Sequence, residues 1–174
     1  MSNDALRFFR FSFRRLILLS VNVLVAPSQM RSVQRVRAFL LRLIGFRIGE
    51  NSQLSEYLYV HNGRNFRAGK NCRLGSFCRI WDFSPITIGN DCLASHGLTL
   101  ISGNHSINAD RTNKPGPISI GNNVWLGINV TIIGPAAIGD DVIVGANSLV
   151  TGDLLAHGIY GGSPARLIRM NEKI

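Results

Sequence analysis

Cysteine is scarce in this sequence of 174 residues, which contains only Cys72, Cys78 and Cys92. An odd number of thiols cannot be fully paired, so the disulfide framework of a small secreted domain is not expected. Reduced thiols are typical of a cytosolic protein, and the length suffices for one domain, or one and a half, with a sizeable core. A cytoplasmic location is therefore predicted.

The chain also lacks an apolar run long enough for a membrane span. The stretch Leu16–Ala26 covers about eleven residues and is interrupted by Ser20 and Asn22, whereas a helix that crosses a bilayer needs roughly 18 or more. A spanning helix is not expected. A secretory signal, which has a basic start, a short apolar core and small residues, is an alternative for this segment.

Acidic residues are nearly missing from the start of the chain. Residues 1–47 contain nine Arg and only Asp4, a net charge of +8, whereas residues 48–174 contain ten basic and nine acidic residues, a net charge of +1. Within this basic arm, apolar residues recur at helical spacing between Ser28 and Ile44, at Val33, Val36, Leu40, Leu43 and Ile44. This pattern predicts an amphipathic helix that Gly45 ends.

Two interpretations of the arm stay open. It is a helical cap that packs its apolar stripe on the following domain or on a neighbouring subunit, or it is an anchor on an anionic membrane surface, where Arg, Phe and Leu side chains are favourable. The two can coexist, and the second predicts a peripheral membrane association through residues 1–47. A nucleic-acid partner is not expected, because the chain shows no binding motif of that class.

A six-residue repeat organises the rest of the chain. Aliphatic or small residues recur at every sixth position over residues 120–156, at Ile120, Leu126, Ile132, Ile138, Val144, Val150 and Ala156. A second set of small or β-branched residues lies four positions after members of the first, at Val124, Val130, Ala136, Val142 and Ser148. A period of six is neither helical nor that of a plain strand, and it predicts short strands joined by turns, three units to a triangular coil with both sets inside.

The same repeat starts at Ile48 and is interrupted at defined places. Two steps of eight, from Val60 to Ala68 and from Ile80 to Ile88, predict corners with two extra residues. The three Cys fall in the second, small-residue set, so they are interpreted as reduced filler inside the coils.

One long insertion, residues 101–119, follows Leu100. It contains the segment Gly103-Asn104-His105 and the breaker run Pro115-Gly116-Pro117. Solenoid proteins place such insertions on one face, commonly the binding face. His105 is the only His in this insertion, and its polar, turn-rich surroundings allow the imidazole to be presented to a ligand. An ordinary surface residue is the alternative that the residues alone leave open.

These features resemble the hexapeptide-repeat acyltransferases of the galactoside, maltose and xenobiotic acetyltransferase kind. The resemblance covers about residues 48–170 and implies an all-β fold, a left-handed parallel β-helix with an N-terminal helical arm. It also implies acetyl-CoA as co-substrate, no metal, and a homotrimer with each active site between two subunits. His105 takes the place of the catalytic His. Cofactor contacts carry over to Ile128, Ala146, Thr151, Gly152, Arg166 and Arg169.

The acceptor side departs from that family. Galactoside-type enzymes hold the sugar with an Asn and an Asp where this chain has Gly75 and Phe83, and Asp82 lies one position away. Asp82, Asn104 and His96 are the candidate acceptor contacts. A zinc site of the carbonic anhydrase type is not expected, because the spacing of the His residues does not fit one.

The sequence thus predicts a basic helical arm (1–47), a β-helix (48–160) and a C-terminal tail that contacts the cofactor (161–174). The predicted function is O-acetyl transfer from acetyl-CoA to a sugar hydroxyl of a surface polysaccharide or its precursor, with His105 as general base. The alternatives are N-acetylation of an amino sugar, serine acetylation, or a non-catalytic β-helix scaffold at the membrane.

Overall fold

A computed structural model describes Leu16, Ser20 and residues 30–106 and 110–171. Most of the predicted arm before residue 30, including most of the apolar stretch Leu16–Ala26, lies outside the described residues, as do residues 172–174 of the predicted tail. In the part that is described, no helix combines the length and the apolar character that crossing a membrane requires.

Short strands make up almost all of the regular structure after helix α1 (Arg31–Leu43). In chain order they are β1 Arg47–Ile48, β2 Gln53–Leu54, β3 Tyr59–Val60, β4 Phe66–Ala68, β5 Arg73–Leu74, β6 Arg79–Trp81, β7 Ile86–Ile88, β8 Leu93–Ala94, β9 Thr99–Ile101, β10 Gly103–His105, β11 Asn113–Pro115, β12 Ile118–Ile120, β13 Trp125–Leu126, β14 Thr131–Ile133, β15 Ala136–Ile138, β16 Ile143–Val144, β17 Leu149–Val150, β18 Gly158–Gly161 and β19 Arg166–Met170.

Three parallel sheets form the walls of the β-helix. Sheet A contains β1, β4, β7, β12 and β15, sheet B contains β2, β5, β8, β13, β16 and β18 with β19 at its edge, and sheet C contains β3, β6, β9, β14 and β17. From β1 to β17, each coil contributes one strand to each sheet, and neighbouring strands of a sheet come from successive coils. The prediction of a left-handed parallel β-helix is confirmed.

The two repeat sets form the core, as predicted. Ile48, Ala68, Ile88, Ile120 and Ile138 lie in register on sheet A, one per coil. The steps of eight therefore give coils of twenty residues without a change in register. Members of both sets are buried together, and so are the three cysteines, which are free thiols. Burial raises the pKa of the Cys78 thiol to about 12, as expected for an inert core residue.

The end of the repeat differs from the prediction. Ala156 is only half-buried, and Leu154 instead lies in the core and bridges to Ile138. The last coil is two residues shorter than the period of six requires, because β18 already turns into the terminal hairpin with β19. Residues 161–170, predicted as a tail, thus include an antiparallel strand that completes sheet B.

At the corner between sheets A and B, residues other than glycine adopt the left-handed backbone. A column of Asn and Asp at the corner between sheets A and B has φ near +57°, and adjacent side chains are hydrogen-bonded, with Asn71 donating to Asp91 at 2.8 Å and Asn123 to Asp141 at 2.7 Å. These residue types tolerate that conformation. The repeat glycines instead allow close stacking, since a Cβ at Gly127 would lie 2.6 Å from the backbone N of Ala146 in the next coil.

Helix α1 packs on β1 and β2 at the start of the β-helix, but only partly through the predicted stripe. Its buried residues are Gln34, Arg37, Ala38 and Leu41. Of the predicted stripe, Ile44 packs against the core and Val33 and Leu40 are half-buried, whereas Val36 and Leu43 are exposed. The prediction was wrong for these last two because the helix docks through a buried charge. Arg37 is fully buried, donates to the carbonyl of Leu54 at 3.2 Å and interacts electrostatically with Glu56.

The Glu56 carboxylate, which attracts the Arg37 guanidinium, is itself held by the next coil. Glu56 accepts a hydrogen bond from the Ser76 hydroxyl at 2.6 Å. Burial alone would raise the pKa of Glu56, but this hydrogen bond and the nearby Arg37 and His96 outweigh it and hold the pKa below its usual value. The arm is thus joined to the first coils by the Arg37–Leu54 hydrogen bond and by the electrostatic attraction between Arg37 and Glu56.

Candidate active site

The insertion after β9 is an antiparallel hairpin that leaves the corner between sheets C and A. Its strands β10 and β11 pair Gly103 with Pro115, Asn104 with Lys114 and His105 with Asn113. Gly116 donates its N–H to the carbonyl of Ser102 at 3.2 Å, which closes the base of the hairpin. His105 therefore stands at the outer end of a paired strand.

The orientation of the His105 ring is set by its Nδ1 atom. Nδ1 lies 3.0 Å from the carbonyl oxygen of Arg111 across the hairpin. A carbonyl oxygen can only accept, so Nδ1 carries the hydrogen, and in the neutral ring Nε2 is left with a lone pair. The backbone N–H of His105 donates to Asn104 Oδ1 at 2.8 Å, so the predicted acceptor contact Asn104 also supports the catalytic candidate.

A cavity of about 610 Å³ opens beside this ring, within the size range of small-molecule sites. Its lining combines aromatic, aliphatic and polar side chains with one Lys, from Phe83, Ser84, Ile101, Gly103, Asn104, His105, Asn113, Lys114 and Pro115. Phe83 is 55% exposed, and a Cβ at Gly103 would lie 3.2 Å from that of Phe83, so this glycine lets the ring pack against the hairpin.

Several lining residues were not predicted. Ser84 belongs to the coil before the insertion and Ile101 is the insertion's first residue, so their meeting at the cavity depends on the stacking of two coils. Lys114 could have been predicted from the sequence, because it pairs with Asn104 across the hairpin. The turn-rich sequence between the two strands is the pattern that indicates such a hairpin.

Asp82 does not line this cavity, which corrects its assignment as an acceptor contact. The residue is fully buried, and its carboxylate accepts the backbone N–H groups of Asn62 at 2.7 Å and Asn65 at 3.1 Å. These contacts hold together the corners of two successive coils. Asp82 is therefore a structural residue, and its neighbour Phe83 is the one that reaches the cavity.

His96 belongs to a different corner, between sheets B and C. Its Nδ1 accepts the backbone N–H of Ser76 at 2.9 Å, and the ring does not line the His105 cavity. Two of the predicted cofactor residues continue this column, since Asn129 donates to the carbonyl of His96 and Asn147 to that of Ile128. His96, Ile128 and Ala146 thus stack one above another.

Within one chain, sheet C lies between the corner that carries the His105 hairpin and the corner that carries Ile128 and Ala146. The His105 hairpin follows strands of sheet C, whereas Ile128 and Ala146 precede them. The described residues of a single chain therefore do not bring the candidate base and this part of the candidate cofactor surface together.

The remaining cofactor candidates lie near the end of the β-helix. Thr151 and Gly152 follow β17, and a Cβ at Gly152 would meet no atom within 4 Å, so the backbone there is open to a ligand. Arg166 and Arg169 lie exposed on β19. The backbone N–H of Ala165 donates to the carbonyl of Leu149 at 2.7 Å, which ties the start of this strand to β17.

No group of three His, Cys, Asp or Glu in the described ranges has the arrangement that a metal ion would need. The side chains with chemistry at the cavity are an imidazole, a primary amine, a hydroxyl and two amides. This set suits proton transfer and the binding of a polar organic molecule.

Comparisons with known proteins identify the family. The model described as "Bacterial transferase hexapeptide (six repeats)" matches residues 117–152, and "Hexapeptide repeat of succinyl-transferase" matches residues 67–101. The galactoside O-acetyltransferase of Escherichia coli (strain K12) is 33% identical over 138 residues, which cover 76% of this chain and 68% of that protein. The chain belongs to the hexapeptide-repeat acyltransferase family.

Solved structures agree with this assignment. A galactoside acetyltransferase in complex with coenzyme A superposes with a TM-score of 0.83 at 27% identity, covering 94% of this chain and 81% of that one. A hexapeptide-repeat acetyltransferase of Vibrio cholerae O1 biovar eltor, complexed with acetyl coenzyme A, gives 0.82 at 27% identity, covering 94% and 88%. As a member of this family, the protein is an acyltransferase.

Proposed function

We propose that the protein transfers an acetyl group from acetyl-CoA to a sugar hydroxyl of a surface polysaccharide or its precursor. The observation that carries the proposal is the hydrogen bond of His105 Nδ1 to the Arg111 carbonyl, which leaves Nε2 available as a base at the edge of the cavity. The named sugar acetyltransferase among the relatives supports the choice of acceptor.

The reaction needs one proton acceptor and no covalent intermediate. The acceptor hydroxyl gives its proton to Nε2 of His105 as its oxygen attacks the thioester carbonyl. Collapse of the tetrahedral intermediate breaks the C–S bond, and the imidazolium returns the proton to the departing thiolate. Backbone N–H groups of the neighbouring coil hold the oxyanion, and the remaining catalytic effect comes from alignment of the two substrates.

The cofactor would lie along the column that contains Ile128 and Ala146 and continue past Thr151 and Gly152 to the two arginines of β19. Small corner residues let a pantetheine arm approach the backbone, and guanidinium groups pair with phosphate oxygens. His96 stands in the same column below Ile128, so we retain it as a contact near the thioester end, in the acceptor region.

The acceptor would bind against Phe83. An aromatic ring offers a flat apolar surface to the C–H face of a sugar, while Asn104 and Lys114 offer polar contacts to its edge. Purified protein with labelled acetyl-CoA and a panel of saccharides tests the function. O-acetyl products are expected. Products only from amino sugars would favour N-acetylation, and no product from any acceptor, with cofactor bound, would favour a scaffold.

We infer a homotrimer in which the outward face of sheet C meets other copies of the chain. A row of apolar side chains runs across the coils on this face, with Trp81 beside Ile101 and Ile101 beside Ile133. The equivalent positions on sheet A are polar or small, including Arg67, Thr87 and Ser119. Contact through sheet C would bring the His105 corner of one subunit to the Ile128 corner of the next.

The substitution Ile133→Glu should therefore convert the trimer to monomers, because a carboxylate would be buried without a partner. Light scattering after size exclusion measures the mass, and circular dichroism checks the fold. Acetyl transfer should fall with the loss of the trimer. Thr87→Glu on sheet A is the matched control and should stay trimeric and active. A trimeric Ile133→Glu protein would show that another face forms the interface.

A cytoplasmic location with peripheral attachment to anionic membranes through residues 1–47 also belongs to this proposal. Its support is the net charge of +8 in that segment and the exposure of Val36, Phe39 and Leu43 on α1. Cationic and apolar side chains together are what a membrane surface binds.

A further inference from the structure

A second cavity, far in the fold from the His105 hairpin, lies where the start of α1 meets the corner between sheets A and B. It has a volume of about 540 Å³ and is lined by Arg31, Arg35, Asn51, Gln53, Asn71, Arg73 and Asp91. Three guanidinium groups from two structural elements thus converge on one cleft. None of these residues takes part in the acetyl-transfer site proposed above.

The positive charge of this cleft is not neutralised within the described part of the chain. The one carboxylate that lines it, that of Asp91, also accepts the amide of Asn71 at 2.8 Å and offsets only one of the three guanidinium charges, which leaves a net charge of +2. Arg31, Arg35 and Arg73 form no ion pair with any described residue, whereas Lys70 nearby pairs with Glu50 at 3.2 Å. Three like charges around a common space repel one another unless an anion lies between them.

The chemistry of the lining favours a phosphate over other anions. Guanidinium groups are planar forks that bind two phosphate oxygens at once, and three of them match the several oxygens of a phosphodiester. The amides of Asn51 and Gln53 can donate further hydrogen bonds. The N-terminal end of α1 adds the positive end of a helix dipole, and its first turn contains no acidic residue to oppose an anion.

The face of α1 that carries Arg31 and Arg35 becomes apolar toward the C-terminal end of the helix. Arg31, Arg35, Phe39 and Leu43 are spaced by four residues and so follow one another along one side of α1. Phe39 is 55% exposed and Leu43 68% exposed. A free phosphate would use only the basic half of this line, whereas a phospholipid carries its phosphate next to apolar chains.

We propose that the Arg31, Arg35 and Arg73 cleft binds the phosphate of an anionic phospholipid, with the Phe39 and Leu43 side chains in contact with the apolar part of the same membrane surface. This assignment rests on the proposed membrane association and gives it a defined binding site. It also orients the β-helix, because the end of the β-helix that carries α1 then faces the membrane.

The test is co-sedimentation of the full chain with phosphatidylglycerol vesicles. Arg73→Gln and Arg35→Gln should each raise the apparent dissociation constant about tenfold, since a charge-assisted contact is lost. Arg73→Lys should recover only part of the affinity, because an ammonium keeps the charge but not the fork. Phe39→Ser should weaken binding about fivefold. Arg67→Gln removes the same charge from the same coil but outside the cleft, and it should change binding less than about twofold.

The outcomes separate this site from the wider proposal. Equal losses in Arg73→Gln and Arg67→Gln would show diffuse attraction to the surface and overturn the cleft. Absence of vesicle binding by the unaltered chain would overturn membrane association and the lipid assignment together. If inorganic phosphate then still bound to the cleft in calorimetry, the ligand would be a free phosphate. Acetyl transfer to a soluble saccharide should be unchanged in all these variants, so its loss would indicate a misfolded protein.

Discussion

The variant His105→Ala should lose turnover by about 10² to 10⁴ while keeping its fold, its oligomeric state and its affinity for acetyl-CoA. A positioned general base contributes a factor of that size, which corresponds to roughly 3–5 kcal/mol of the barrier. The ring is exposed on a hairpin outside the core, so its removal should cost little stability. Steady-state kinetics with a saccharide acceptor, together with calorimetric titration of acetyl-CoA, measures both parts of this expectation.

The matched control for this variant is His96→Ala. Its ring accepts a backbone N–H at the other edge of sheet C and does not line the cavity, so turnover should change far less. A small rise in the Michaelis constant of the acceptor would agree with its retained role. An inactive His96→Ala beside an active His105→Ala, with both proteins folded, would show that the base has been assigned to the wrong residue.

Replacement of Arg166 or Arg169 by Ala should raise the Michaelis constant for acetyl-CoA about ten- to a hundredfold. Both side chains are exposed on β19, and among the described residues each donates a hydrogen bond to one backbone carbonyl nearby, so they are available for a phosphate. A charge-assisted contact of this kind is worth on the order of 1.5–3 kcal/mol. Turnover at saturating cofactor should change less, because these residues lie away from the reacting atoms.

The control for the Arg variants is Arg64→Ala, which removes an exposed guanidinium from a corner of the first coil. It should leave the cofactor kinetics unchanged. If Arg166→Ala and Arg169→Ala also behaved like the unaltered protein, the terminal hairpin would not contact the cofactor. The site would then have to end at Thr151 and Gly152.

The architecture could be predicted because the six-residue repeat is a local sequence pattern that specifies each strand and turn. A residue such as Ile132 must be aliphatic whatever its distant neighbours are, since each unit of six repeats the same environment. The twenty-residue coils followed for the same reason. The repeat failed only at Ala156, where the hairpin of β18 and β19 replaces the next coil and Leu154 enters the core.

Helix α1 shows the limit of such patterns. Periodicity marks apolar positions, but the surface that a helix buries depends on what it meets. Here the partner is the Glu56 carboxylate, fixed by Ser76 from the coil above, and an arginine is buried to pair with it. The apolar residues Val36 and Leu43 are left outside, where they become part of the proposed membrane surface.

The sequence by itself therefore determined the β-helix, its buried sets, the position of the long insertion and, with the family resemblance, His105 as the residue to examine. Only the tertiary structure decided which side chains surround that residue. Stacking places Phe83 at the cavity and withdraws Asp82 into a corner, because residues about twenty positions apart become neighbours in successive coils. The docking of α1 on the first coils brings Arg31 and Arg35 to Arg73, and no local pattern in the sequence contains that proximity.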